Sequence, residues 1–365
     1  MAWAVTLPVW AQMAPAGEPV HLSAKQQLGK KLFFETRLSN PPGQACASCH
    51  APGVAFSDPR TQQPVSEGAS KGLFTSRNAP SIMYLATVPK LHIDTKEAIY
   101  IGGLFYDGRA ATLEQQVEGP AFSRNEMAIK DKQELIEKLR RLGYQPLFKK
   151  FYGDKALSTT ALGYQQLTEM IAGYERSAEL NPFTSKYDYY LMGKARLNAQ
   201  ERRGLKIFED EKKANCAACH PTDPQDDGTR PMFTDFSYDN LGVPKNPANP
   251  FLQLRGKINP QGKRFVDPGL GKTVAKRSEN GKFRVPSLRN AAVTAPYMHN
   301  GVFKTLKEVV EFYNTRDVDP KWGKPEVTEN VNEDEMGDLK MSEQEIEDLI
   351  AFMETLTDGY QPAGK

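Results

Sequence analysis

Two five-residue stretches constrain this chain more than anything else in it: Cys46-Ala-Ser-Cys49-His50 and Cys216-Ala-Ala-Cys219-His220. Each matches the C-x-x-C-H pattern that attaches a c-type haem. Two thiols form thioethers with the haem vinyl groups, and the adjoining histidine binds the iron from one side. Together the two stretches use all four cysteines of the 365-residue sequence. A lone C-x-x-C is equally a zinc half-site or a redox dithiol. A zinc reading of these cysteines wants all four thiolates converging on one ion, whereas here each pair carries its own histidine and the pairs lie far apart in sequence. Two covalently bound haem c groups are therefore expected, and the chain must fold around them.

The length suffices for two domains of ordinary size. A formal charge of +2 gives no reason to invoke a nucleic-acid partner. The basic run from Lys138 to Lys155 and the acidic run from Glu329 to Glu347 read as solvated helix faces and loops. Residues 1–20 resemble the apolar core and small-residue end of a secretory signal, although a basic start is missing. No later segment reaches the roughly 20 apolar residues needed to span a bilayer. Since c-type haem is attached outside the cytoplasm, a periplasmic protein that does not span the membrane is expected.

The haem motifs sit inside a longer internal repeat. Ser23-Ala-Lys-Gln26 is a capping box opening one helix, and Asn198-Ala-Gln-Glu201 opens another, each followed closely by its C-x-x-C-H. Each unit also closes on a helix. One carries Leu167, Met170, Ile171 and Tyr174 on one face; the other, capped by Ser342 and Glu345, carries Ile346, Leu349, Ile350 and Met353. Both stripes are expected as core, not cofactor contacts. The fold class is mainly α: two cytochrome c-like domains, 21–180 and 198–365, joined by a connection at 181–197. The Pro- and Gly-rich stretches 51–81 and 221–285 are long ordered loops of the kind that wrap a cofactor edge.

Past the first haem motif come Arg77-Asn78-Ala79-Pro80, Leu104-Phe105-Tyr106-Asp107-Gly108-Arg109, Gln116, Gly119-Pro120 and Glu126-Met127-Ala128. The second half carries Val285-Pro286-Ser287-Leu288-Arg289-Asn290 and Thr294-Ala295-Pro296-Tyr297-Met298-His299-Asn300-Gly301. In this ordered set, over roughly residues 23 to 358, the sequence resembles the bacterial dihaem cytochrome c peroxidase and MauG family. The resemblance implies that the N-terminal haem reacts with hydrogen peroxide. It also implies that Glu126 and Gln116 line the open face of that haem, with Phe105 and Pro120 beside them. Breaking the O–O bond requires a proton moved between the two oxygens, which a carboxylate relays as base then acid. Many family peroxidases carry a further histidine after the first motif that blocks this iron. Here none of the five histidines lies between His50 and His92, which implies an open first site. His21 and His92 read as surface residues.

The family's electron-transferring members place a methionine ligand of the second haem fourteen residues beyond the histidine of Pro-Tyr-x-His-x-Gly; here that position is Tyr313. MauG-like members carry a tyrosine ligand there. A thioether favours ferrous iron, and an anionic phenolate favours ferric and higher oxidation states. The alternatives are that Tyr313 is a core aromatic and that Met298 or Met336 binds the iron. Between the haems the family places a tryptophan before Asp-Gly-Arg, where this chain has Tyr106, whose oxidation must release the phenolic proton. The resemblance also implies a Ca²⁺ held by Asn78 and by backbone oxygens at Thr294 and Pro296.

These features lead to a MauG-like periplasmic oxidoreductase that uses peroxide to oxidise a protein substrate, with tryptophan oxidation as the expected chemistry. The first alternative is a cytochrome c peroxidase drawing electrons from a small cytochrome or cupredoxin. A non-enzymatic electron carrier is the second, and it leaves Glu126 and Gln116 without a role.

Overall fold

The computed structural model describes residues 20–224 and 230–362. The signal-like segment expected at 1–20 lies, but for Val20, outside the described residues. The structure is mainly helical. Among the described residues the strands are confined to two short antiparallel ribbons, His92–Asp94 with Ile99–Ile101 and Tyr238–Asp239 with Phe283–Arg284.

Two hydrophobic cores organise the chain as two cytochrome c-type domains. One gathers Leu32, Phe33, Leu139, Phe148, Met170 and Tyr174; the other gathers Phe208, Phe233, Leu349, Phe352 and Leu356. Each is built on the same helix crossing. The opening helix Ala24–Phe33 packs on Thr160–Glu175, and Ala199–Glu209 packs on Glu343–Glu354. The capping boxes form as expected, with reciprocal bonds between Ser23 and Gln26, Asn198 and Glu201, and Ser342 and Glu345.

A glycine lies at the point of closest approach in both crossings. A Cβ on Gly29 would stand 2.0 Å from the Met170 carbonyl oxygen, and one on Gly204 would stand 1.9 Å from that of Asp348. Any other residue would push the helices apart.

The stretch expected as a connection, 181–197, carries a helix, Lys186–Leu191, capped by Ser185. Its Tyr187 belongs to the second core, and the Tyr187 N–H donates to the Thr355 carbonyl at 3.0 Å. The basic run is also less solvated than its composition suggests. Lys138 donates to the carbonyls of Leu38 and Ser39 at 3.0 and 2.8 Å, so it ties a helix to a loop.

A polar seam joins the halves. Arg77 Nε donates to Asp267 at 2.7 Å while its Nη1 pairs with Asp107 at 2.8 Å, and all three side chains are largely buried. Burial works against the Arg77 charge, and the two carboxylates outweigh it. The Arg284 N–H donates to the Tyr106 carbonyl, the Asn78 N–H to the His299 carbonyl, and the Tyr238 hydroxyl to the Gly102 carbonyl, at 2.8, 2.8 and 2.6 Å.

Candidate dihaem site

Both C-x-x-C-H motifs fold as a single tight turn. Cys46–Ser48 and Cys216–Ala218 are 3₁₀ turns in which the histidine N–H donates back to the first cysteine's carbonyl, at 3.0 Å for His50 and 2.9 Å for His220. All four cysteines are free of disulfides. Burial pushes the thiols of Cys46, Cys216 and Cys219 up to about 12. Among the described residues no three His, Cys, Asp or Glu side chains converge as a metal cluster, so the four sulfurs do not meet around one ion.

The histidines are oriented in the same way. His50 Nδ1 lies 3.1 Å from the Phe56 carbonyl, and His220 Nδ1 lies 2.7 Å from the Phe233 carbonyl. A carbonyl only accepts, so Nδ1 carries the proton and Nε2 keeps its lone pair for iron. Burial lowers both imidazoles and holds them neutral, the form that ligates. Phe56 and Phe233 both adopt left-handed backbone, with φ of 55° and 52°. The acceptor is thus built by the same local device in each half.

A cavity of about 1270 Å³ runs between the two cores and is lined by Cys46, Cys49, His50, Cys216, Cys219 and His220. Its volume exceeds the roughly 300–1,000 Å³ of an ordinary small-molecule pocket. With paired thiols, a free Nε2 in each half and largely apolar walls, the residues present fit two covalent haems. Both expected cofactor loops contribute to the wall, through Ser66 and residues 75–81 in one and Phe251, Phe265 and Asp267 in the other.

The structure corrects one expectation here. Leu167 and Ile171 from one closing helix, and Leu349 and Met353 from the other, line the cavity instead of serving only as core. A 3.6-residue stripe wide enough to pack on the opening helix also reaches the cofactor space, so one face serves both.

Glu126, Gln116, Phe105, Pro120 and Tyr106 all face the same cavity. Glu126 sits in a turn clamped by Ala69, whose N–H donates to the Glu126 carbonyl at 2.7 Å, and by Asn125, which donates to the Phe74 carbonyl at 2.8 Å. Burial raises the Glu126 carboxyl, while Ser123 and Arg109 draw it partly back. Phe105 is held by Arg109, whose guanidinium lies 3.5 Å from the ring centroid. Burial raises the Tyr106 phenol, while the Arg77 and Arg284 charges draw it partly back.

In the second half the helix Leu306–Thr315 presents Leu306, Val309, Val310 and Tyr313 to the cavity, one face at i, i+3, i+4 and i+7. Burial raises the Tyr313 phenol strongly. Met298 and Met336 line the cavity as well. Asn78, Thr294 and Pro296 each line the cavity, and Asn78 Nδ2 donates to the Pro64 carbonyl at 3.2 Å. His92 and His21 are exposed, as expected.

Two features escaped the sequence reading. The Phe56 and Phe233 carbonyls leave no side-chain signature. Glu175 ends a helix inside the first core, with burial pushing its carboxyl up to about 8 and Oε2 lacking a partner among the described residues. Its only signal is a charge directly after the apolar stripe.

Residues 23–196 match the family model described as di-haem cytochrome c peroxidase, and residues 201–357 match that of cytochrome c. The methylamine utilization protein MauG of Paracoccus denitrificans is 36% identical over 358 residues, covering 92% of this chain and 89% of its own. The chain belongs to the dihaem cytochrome c peroxidase and MauG family. The cytochrome-c peroxidase IdrP1 of Denitromonas iodatirespirans is 31% identical, over 94% of this chain and 84% of that relative. The crystal structure of the diheme peroxidase BthA from Burkholderia thailandensis matches with a TM-score of 0.82 at 35% identity, covering 92% of this chain and 86% of that one. MauG and peroxidase names both occur among the relatives of this dihaem enzyme. Common to both is a haem oxidoreductase, and the peroxidase name brings hydrogen peroxide as its substrate.

Proposed function

We propose that this enzyme is of the MauG-like kind, a periplasmic oxidoreductase that uses hydrogen peroxide to oxidise a protein substrate, with tryptophan as the side chain oxidised. The observation that carries this reading is Tyr313, placed on the cavity face of the Leu306–Thr315 helix with Leu306, Val309 and Val310. His220 Nε2 and the Tyr313 phenol would hold one haem, and His50 Nε2 the other. When bound, the two haems supply the iron that accepts peroxide and stores its oxidising equivalents. Gln116 orients the peroxide by hydrogen bonding. Glu126 takes a proton from one peroxide oxygen and returns it to the other, so that water leaves. Phe105 and Pro120 keep bulk water from the same face. Asn78 with the Thr294 and Pro296 backbone oxygens would hold a structural Ca²⁺ at the seam, where hard oxygen donors suit that ion.

Met298 and Met336, which also face the cavity, favour a second reading. With a thioether on the second iron, the protein would be a cytochrome c peroxidase that returns peroxide to water with electrons from a small cytochrome or cupredoxin.

Low-temperature EPR of the ferric protein separates the two, read beside the optical spectrum of Tyr313→Met. The MauG-like reading expects a high-spin signal from an open first site and a low-spin signal that changes on substitution. A methionine charge-transfer band near ~695 nm in the wild type, a probe of the axial ligand, or a spectrum untouched by Tyr313→Met, would overturn it.

A further inference from the structure

Trp322 is the one tryptophan among the described residues, and it closes a short aromatic run that begins at Tyr313. The Phe312 ring lies 6.3 Å from Tyr313 and 5.5 Å from Trp322, nearly edge-on to both, and Phe303 packs 5.5 Å from Trp322 and 4.9 Å from Phe312. Phe312 is fully buried and Trp322 is partly exposed, so the run leads from the cavity wall toward solvent. The indole is fixed on the helix that bears Tyr313, because its Nε1–H donates to Thr315 Oγ1 at 2.9 Å.

We propose that Trp322 is the surface relay of this enzyme, the side chain that gives an electron toward the second haem site and hands the oxidising equivalent outward to a protein substrate. The proposal rests on the reading above that Tyr313 faces that haem. Electron tunnelling weakens steeply with distance, so contacting rings form the favoured route. Phenylalanine is too hard to oxidise to hold a charge, and Phe312 serves as a bridge. An indole gives up an electron without losing its proton at once, and Thr315 holds that proton in place. The Lys321 ammonium, 4.5 Å from the ring centroid, opposes a positive indole. Glu311 and Asp319 face the same ammonium at 3.5 and 3.4 Å and offset it. Each peroxide takes up two electrons and two protons to give two waters. Here the electrons are drawn one at a time through Trp322.

The test mixes the haem-loaded full chain with hydrogen peroxide in the absence of any donor, follows the haem spectrum, and then maps the digested protein by mass spectrometry. Without a substrate the equivalents are expected to collect on the indole, one C–H and one H₂O₂ giving C–OH and water. Trp322→Phe is expected to lose that product, to leave the resting spectrum unchanged, and to slow the return of the peroxide-altered spectrum roughly tenfold. Trp322→Tyr, still oxidisable, restores the faster return. If the spectrum responds but Trp322 stays unmodified and Trp322→Phe returns at the wild-type rate, the relay is overturned while the proposed function stands. A spectrum that does not respond to peroxide overturns both.

Discussion

Arg289 and Asp188 are joined by two parallel hydrogen bonds of 2.9 Å, and neither side chain has any solvent exposure. The guanidinium also lies over the rings of Phe183 and Tyr84, at 4.5 and 5.0 Å. Removing one partner strands the other charge in an apolar interior. Arg289→Met is expected to lower stability by about 3–5 kcal/mol, measured by urea unfolding of the haem-loaded protein. A loss comparable to that of an exposed pair would refute this account.

The two helix crossings make a matched prediction. Gly29→Ala and Gly204→Ala each drive a methyl into a backbone carbonyl that has no rotamer to yield. Each should cost about 1–3 kcal/mol or more, visible as a lower thermal midpoint. The same change at Gly173, in the closing helix but with nothing near its Cβ, serves as the control and should stabilise slightly or do nothing.

On the proposed mechanism, Glu126→Gln keeps the shape of the peroxide face and removes its proposed proton shuttle. The rate of reaction with peroxide is expected to fall by about 10²–10⁴, followed by stopped flow, with both haems still attached. Because burial raises this carboxyl above the ordinary 4.5, the deprotonated base is lost as pH falls through a value above 4.5. The wild-type profile should show that acid limb, and the Gln variant should lack it.

Glu35 acts on stability instead. Arg37 and Tyr144 hydrogen bonds hold its carboxyl down at about 2, against an ordinary 4.5. A depressed folded value contributes stability that is complete above 4.5 and disappears as pH drops toward 2. Glu35→Gln should lower the thermal midpoint at neutral pH and flatten its decline across that window. An unchanged slope would rule the linkage out.

Much of this was legible in the sequence because it is local. Capping boxes, the C-x-x-C-H turns and the 3.6-residue stripes of the two closing helices are all decided by neighbours a few positions away. The motif order also brought Glu126, Gln116, Phe105 and Pro120 to one cavity. What stayed hidden is tertiary. Arg77 and Asp267 are 190 positions apart and have no periodicity that points one at the other. The Phe56 and Phe233 carbonyls are backbone groups, and they are aimed by left-handed residues that nothing in a phenylalanine announces. The wall role of Leu167 and Met353 was misjudged because apolar side chains look alike whether they face a helix or a cofactor.

The Arg77 seam has one more consequence. With Asp107 on one side and Asp267 on the other, the guanidinium works as a rivet between the halves, so the spacing of the two histidine-bearing turns is a constant of the fold. On the proposed function, charge passing between the two haems would cross a gap that this rivet holds, and solvent friction would have no hinge to act on. The exchange rate should therefore be the same in glycerol as in water.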